Sequence, residues 1–121
     1  MQQINKPFQN ILSKIKHFRD ERDWKKFHNP KDMAEGIVIE ASELLELFLW
    51  KTQEESKKFA KNKKNLEEIA DEIADILYFT LELADDLGID IEKAVLNKLK
   101  KSAKKYPIAK SKGKAIKYTK L

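Results

Sequence analysis

Between Leu66 and Leu87 apolar side chains recur every three or four residues: Ile69, Ile73, Ile76, Leu77, Leu83, Ala84 and Leu87, with Thr80 in the same row. At roughly 100° per residue this row is one continuous stripe along a helix. A strand would need strict alternation, and the row does not alternate. The segment therefore predicts a long helix, and Gly88 is well placed to stop it, because glycine takes up the left-handed conformation that closes helix ends.

The remaining segments agree with this reading. Residues 6–22 carry Phe8, Ile11, Leu12, Ile15 and Phe18 at helical spacing. After the loop "DWKKFHNP", Asn29 suits a cap and Pro30 the first turn of a second helix, running to about Trp50. Thr52 opens a short polar helix through about Ala60, and "KNKKN" interrupts the pattern. Asp90 caps a helix from about Ile91 to Lys105, which Pro107 ends. No segment alternates with a period of two, so the fold class is all-α, a bundle of four to five helices.

One domain suits a chain of 121 residues. It is expected over 1–107, with a Lys-rich C-terminal tail over 108–121. Net charge is +5, and residues 98–121 hold ten lysines and no acid. That tail is read as a solvated terminus, although its charge would also suit polyphosphate or nucleic acid. Without cysteine, disulfides and thiolate metal sites are excluded. No apolar run approaches the roughly 20 residues that span a bilayer, and "MQQINKPFQN" lacks the apolar stretch of a signal peptide. A cytoplasmic location is expected, with no membrane partner.

The second helix carries carboxylates where its core face should be. With Ile37 at zero on the wheel, the apolar arc holds Ile37, Ala41, Leu44, Leu45, Leu47 and Phe48. Glu40 falls inside that arc and Glu43 at its edge, while Glu46 lies farther out. The long helix repeats the arrangement, with Glu72 inside its arc and Asp75 at the edge beside Phe79. Buried ionised carboxylates are costly unless compensated. If the two helices pack antiparallel, the pairs converge, and a converging set of oxygen ligands calls for Mg²⁺, Mn²⁺ or Ca²⁺. The plainer alternative makes these surface acids paired with lysines. A di-iron bundle would need Glu-x-x-His motifs, and His17 and His28 are preceded three residues earlier by Lys14 and Lys25.

E-x-x-E, 28 intervening residues and E-x-x-D resembles the MazG-like nucleotide pyrophosphohydrolases. The strings "ERDWKKFHNPKDMAEGIVIEASELLELFLW", "EEIADEIADILYFTLELADDLGID" and "KAVLNKLKKSAKKYP" resemble the dCTP pyrophosphatase branch, over about Phe18 to Pro107. The resemblance implies a Mg²⁺-dependent hydrolase (Mn²⁺ serving as well) that cleaves a nucleoside triphosphate, dCTP or a related pyrimidine, to the monophosphate and pyrophosphate. Glu40, Glu43, Glu72 and Asp75 are then catalytic metal ligands. Trp24, Lys25, Lys26, Phe27 and His28 match a nucleoside-contacting loop, and Trp50 and Phe79 match aromatic positions near the acids. Lys98 and Tyr106 match positions that touch phosphate or brace the helix. Ile15 departs from the branch, which can carry a histidine there. The resemblance also implies homodimers or homotetramers, with which the wide apolar arcs of several helices agree. Two rival classes remain, a non-catalytic nucleotide- or nucleic-acid-binding helical module and a purely structural bundle. Neither uses carboxylates turned inward.

Overall fold

The computed structural model describes residues 7–121, the side chain of Pro7 excepted. Among the described residues there are six α-helices and no strand: α1 (Pro7–Glu21), α2 (Pro30–Glu46), α3 (Gln53–Lys61), α4 (Lys63–Asp86), α5 (Ile91–Lys105) and the four-residue α6 (Ile108–Ser111). Two 3-10 turns, Lys25–Phe27 and Tyr118–Lys120, complete the chain. The all-α class is as expected. The expected start of the first helix at residue 6, and most of the stretch read for a signal peptide, lie outside the described residues. No described helix is long and apolar enough to cross a membrane.

Polar caps set most of the helix boundaries. The Asn29 side chain accepts from the Asp32 amide at 2.9 Å, and Pro30 occupies the first turn. Thr52 caps α3 through the Glu55 amide at 3.2 Å. Asn62 accepts from the Lys64 and Asn65 amides at 3.0 and 3.3 Å, while its own N–H closes α3 on the Phe59 carbonyl. "KNKKN" is thus the junction of two helices, and α4 begins at Lys63, earlier than its apolar pattern. At the end of α4, Gly88 has φ +69°. The second helix is shorter than expected: α2 ends at Glu46, and 47–50 form turns before Trp50 at φ +62°.

By internal contacts the chain divides into two units, one ending at Leu87 and the other spanning Gly88–Leu121. In the first, α4 packs against α2, α3 and α1. His28 meets Glu82, Gly36 lies against Phe79, and Glu40 and Glu43 stand beside Glu72. Residue numbers therefore fall along α4 as they rise along α2, so the pair is antiparallel. Lys16 with Asp85 and Arg19 with Glu82 give α1 the same sense against α4. Among the described residues Met33, Ile69, Leu81 and Ala84 are the buried hydrophobic ones, whereas Ile73, Leu77 and Leu87 of the α4 stripe stay exposed. In the second unit, Tyr106 meets Tyr118 edge-on at 5.8 Å and Lys105 sits 4.7 Å from the Tyr118 ring. The tail contains helical turns and a ring contact, and residues 108–121 are exposed at every position except Ser111.

Candidate active site

The antiparallel pairing of α2 with α4 brings the two inward-facing acidic motifs together. Glu40, Glu43 and Glu72 each offer a carboxylate oxygen, and these three atoms lie within 4.8 Å of one another. Asp75 stands outside that trio, but its charge acts on both Glu40 and Glu72. Oε2 of Glu40 and Oε2 of Glu72 are buried without a hydrogen-bond partner. Among the described residues no ion pair involves any of the four acids.

Such crowding disfavours the ionised forms of Glu40 and Glu72. Burial, the Glu43 carboxyl and the charges of Asp75 and Glu72 push Glu40 up to about 7. Glu72 is raised as well, by burial first and by the charge of Glu43 second. A set of oxygen ligands with orphaned buried lone pairs and no counter-charge fits a hard divalent cation.

Phe79 lies one turn beyond Asp75, and the way it is seated explains a glycine in the middle of α2. A Cβ at position 36 would stand 2.8 Å from both Cδ1 and Cε1 of the Phe79 ring. Glycine costs a helix interior about 1 kcal/mol relative to alanine, and here it gives the ring a place against bare backbone. Tyr78 meets Phe79 edge-on at 5.2 Å.

The expected nucleoside loop is positioned by the end of α1. The Trp24 amide reaches back to the Arg19 carbonyl at 3.2 Å across Asp23, whose φ is +53°. This is a helix-closing motif with aspartate in the usual glycine place. The Trp24 ring meets Phe18 edge-on at 5.8 Å, while Arg22 lies 3.7 Å above Phe18. Lys25 and Phe27 are exposed, and Lys26 pairs with Asp23 at 2.8 Å. Trp50 is 92% exposed and its ring meets no other described ring. A left-handed non-glycine residue costs about 1–3 kcal/mol, and no packing gain offsets it. Lys98 is exposed on α5, in the second unit.

Pattern reading overlooked a buried polar triad. Glu82 is 0% exposed and Arg19 2%. Oε1 of Glu82 accepts from Arg19 Nη1 and lies against His28 Nδ1, both at 3.0 Å. The signal for Glu82 was present: Glu72, Asp75, Phe79 and Glu82 follow one row at spacings of three, four and three. Arg19 gave none, because nothing local marks one basic residue on α1 as buried.

The family model described as MazG-like matches residues 36–121. A bovine protein described as dCTP pyrophosphatase 1 is 38% identical over 104 residues, 86% of this chain and 62% of its own length. The human protein of that description is 34% identical over 86% of this chain and 61% of its own length. The chain thus spans somewhat under two thirds of these relatives. A crystal structure of a pyrophosphatase from Archaeoglobus fulgidus superposes with a TM-score of 0.81 at 36% identity, covering 88% of this chain and 98% of that one.

Proposed function

From the premise that this chain belongs to the MazG-like family, we propose that it is a Mg²⁺-dependent nucleoside triphosphate pyrophosphohydrolase, acting on dCTP or a related pyrimidine deoxynucleotide. The observation that carries this is the meeting of Glu40, Glu43 and Glu72 with two buried oxygens unpartnered and no cationic side chain among them. A non-catalytic bundle gains nothing from such a cluster, which costs stability until a cation arrives. The relatives described as dCTP pyrophosphatases and the archaeal pyrophosphatase support the same activity.

Glu40, Glu43 and Glu72 would hold the metal, with Asp75 as the fourth ligand. Bound there, Mg²⁺ (or Mn²⁺) would supply charge neutralisation for a triphosphate and a lowered pKa for a water, the chemistry needed for in-line attack at the α-phosphorus with pyrophosphate as leaving group. Glu46, one turn beyond Glu43, orients the water. Trp24, Phe27, Trp50 and Phe79 offer flat surfaces for the base, and the strained, exposed Trp50 is the residue of these least explained by packing. His28 contributes a ring nitrogen, and Lys25 and Lys26 contribute positive charge toward phosphates. We read residues 1–107 as the catalytic domain, 108–121 as its tail, and the cytoplasm as its location.

The working form is read as a homodimer or homotetramer. Ala34, Val38, Ala41 and Leu45 are all exposed at intervals of three and four residues on α2, an apolar stripe that a second copy would cover. The activity is tested by incubating the protein with each common dNTP and NTP plus Mg²⁺ and identifying the products. Monophosphate with pyrophosphate is expected. Orthophosphate with a diphosphate left behind would place attack at the γ-phosphorus and defeat the reading.

A further inference from the structure

The Arg19–Glu82–His28 triad lies outside the acid cluster, about 15 Å along α4 from Glu72 at 1.5 Å per residue. Burying two charged groups this completely is costly, and the arrangement is specific. Oε1 of Glu82 meets both Arg19 Nη1 and His28 Nδ1 at 3.0 Å. Arg19 is braced on its other side by Asp20 at 2.8 Å, and Asp86 lies 3.9 Å from Nη1. Arg19 supplies the counter-charge to Glu82, and the His28 contact adds a second hydrogen bond to the same oxygen.

A carboxylate only accepts, so the proton on the His28 side of this bond sits on Nδ1. Nε2 of the neutral ring then carries a lone pair and no hydrogen. Among the described residues nothing bonds to Nε2. The His28 side chain keeps 11% exposure and lines an open cleft with Lys25, Asn29, Pro30, Asp85 and Asp86. His28 also ends the loop that carries Trp24 and Phe27.

We propose that Glu82, held by Arg19, is a positioning residue for base recognition: it fixes the His28 ring so that Nε2 is presented as a hydrogen-bond acceptor to a base with an exocyclic amine. This rests on the nucleotide-hydrolase reading above and names the feature of the base that the site selects. Cytosine carries such a donor, and uracil has a carbonyl in its place.

Two measurements test it. The first uses ¹⁵N-histidine-labelled wild-type protein without nucleotide, at a pH where the rings are neutral, with His28→Ala giving the assignment. His28 is expected as the Nδ1–H form. His17, whose Nε2 lies 2.8 Å from Glu21, is expected as the Nε2–H form and serves as an internal contrast. An Nε2–H form at His28 overturns the proposal. The second compares wild type with Arg19→Met/Glu82→Leu, which removes the charged pair together, a change a fold often tolerates. KM for dCTP is expected to rise about tenfold with kcat held, and the preference for dCTP over dUTP to fall about as far, the scale of one lost neutral hydrogen bond. A merely structural role would shift Tm and leave that preference intact, and an unchanged preference overturns the proposal. If the wild type hydrolyses no nucleotide, the functional reading fails and takes base selection with it, while the labelled-histidine result still decides the Glu82–His28 link.

Discussion

Glu72 and Glu82 lie on the same helix, each with a side-chain oxygen buried and unpartnered, yet their surroundings are opposite. Around Glu72 stand Glu40, Glu43 and the charge of Asp75, with no cation among the described side chains. Around Glu82 stand Arg19 and His28, both at 3.0 Å. One carboxylate is frustrated by its neighbours and the other is neutralised by them. Burial alone therefore does not mark a functional acid. The missing counter-charge marks the acids that would hold a metal, because only the frustrated cluster gains when a cation enters.

The largest effect that would break this contrast is on catalysis. Glu40→Gln, Glu43→Gln, Glu72→Gln and Asp75→Asn should each lower turnover by on the order of a hundredfold or more, with helicity retained by circular dichroism. A chelator should do the same to the wild type. Near-normal turnover in any two of these variants would remove the metal quartet.

Next is stability, where the two groups should respond with opposite signs. Glu82→Ala leaves Arg19 buried without its partner and should cost about 3–5 kcal/mol in chemical denaturation. Glu40→Gln, measured without metal, should leave stability unchanged or raise it. A large loss from Glu40→Gln would mean that the cluster is a structural network after all.

A smaller effect concerns the exposed aromatic side chains. Trp24→Ala or Trp50→Ala should raise KM about ten- to a hundredfold, for a stacking loss of roughly 1–3 kcal/mol. If Trp24→Ala instead melts the end of α1, its edge contact with Phe18 is its main role. Trp50 has no ring contact to lose, so a KM change there isolates substrate binding.

The smallest effect is a slope. Glu40 is raised from an ordinary 4.5 to about 7, so between those values the folded protein holds a proton that the unfolded chain has released. Metal-free stability should therefore fall as pH rises from about 4.5 to about 7, then level off, with Glu72 adding in the same direction. Below both values the contribution vanishes. Denaturation midpoints across that range should show the decline, and Glu40→Gln should flatten it. A midpoint that rises through the same window would contradict the shared-proton cluster.

The sequence by itself determined the helices and the two acid pairs, because both are local. Apolar spacing fixes a helical stripe, Asn29, Thr52 and Asp90 fix where helices start, and E-x-x-E and E-x-x-D place acids one turn apart wherever the helix goes. Its errors were local too: α2 stops at Glu46 because its last apolar residues turn instead of continuing, and Asn62 begins α4 before the apolar stripe does. Tertiary structure decided which polar side chains meet. Only the antiparallel register of α2 on α4 puts Glu40 and Glu43 beside Glu72, and Phe79 over Gly36. Only the packing of α1 on α4 buries Arg19 against Glu82, 63 residues away in sequence. A charge acts through its distance to other charges, and for residues on different helices that distance is not written in any stretch of sequence.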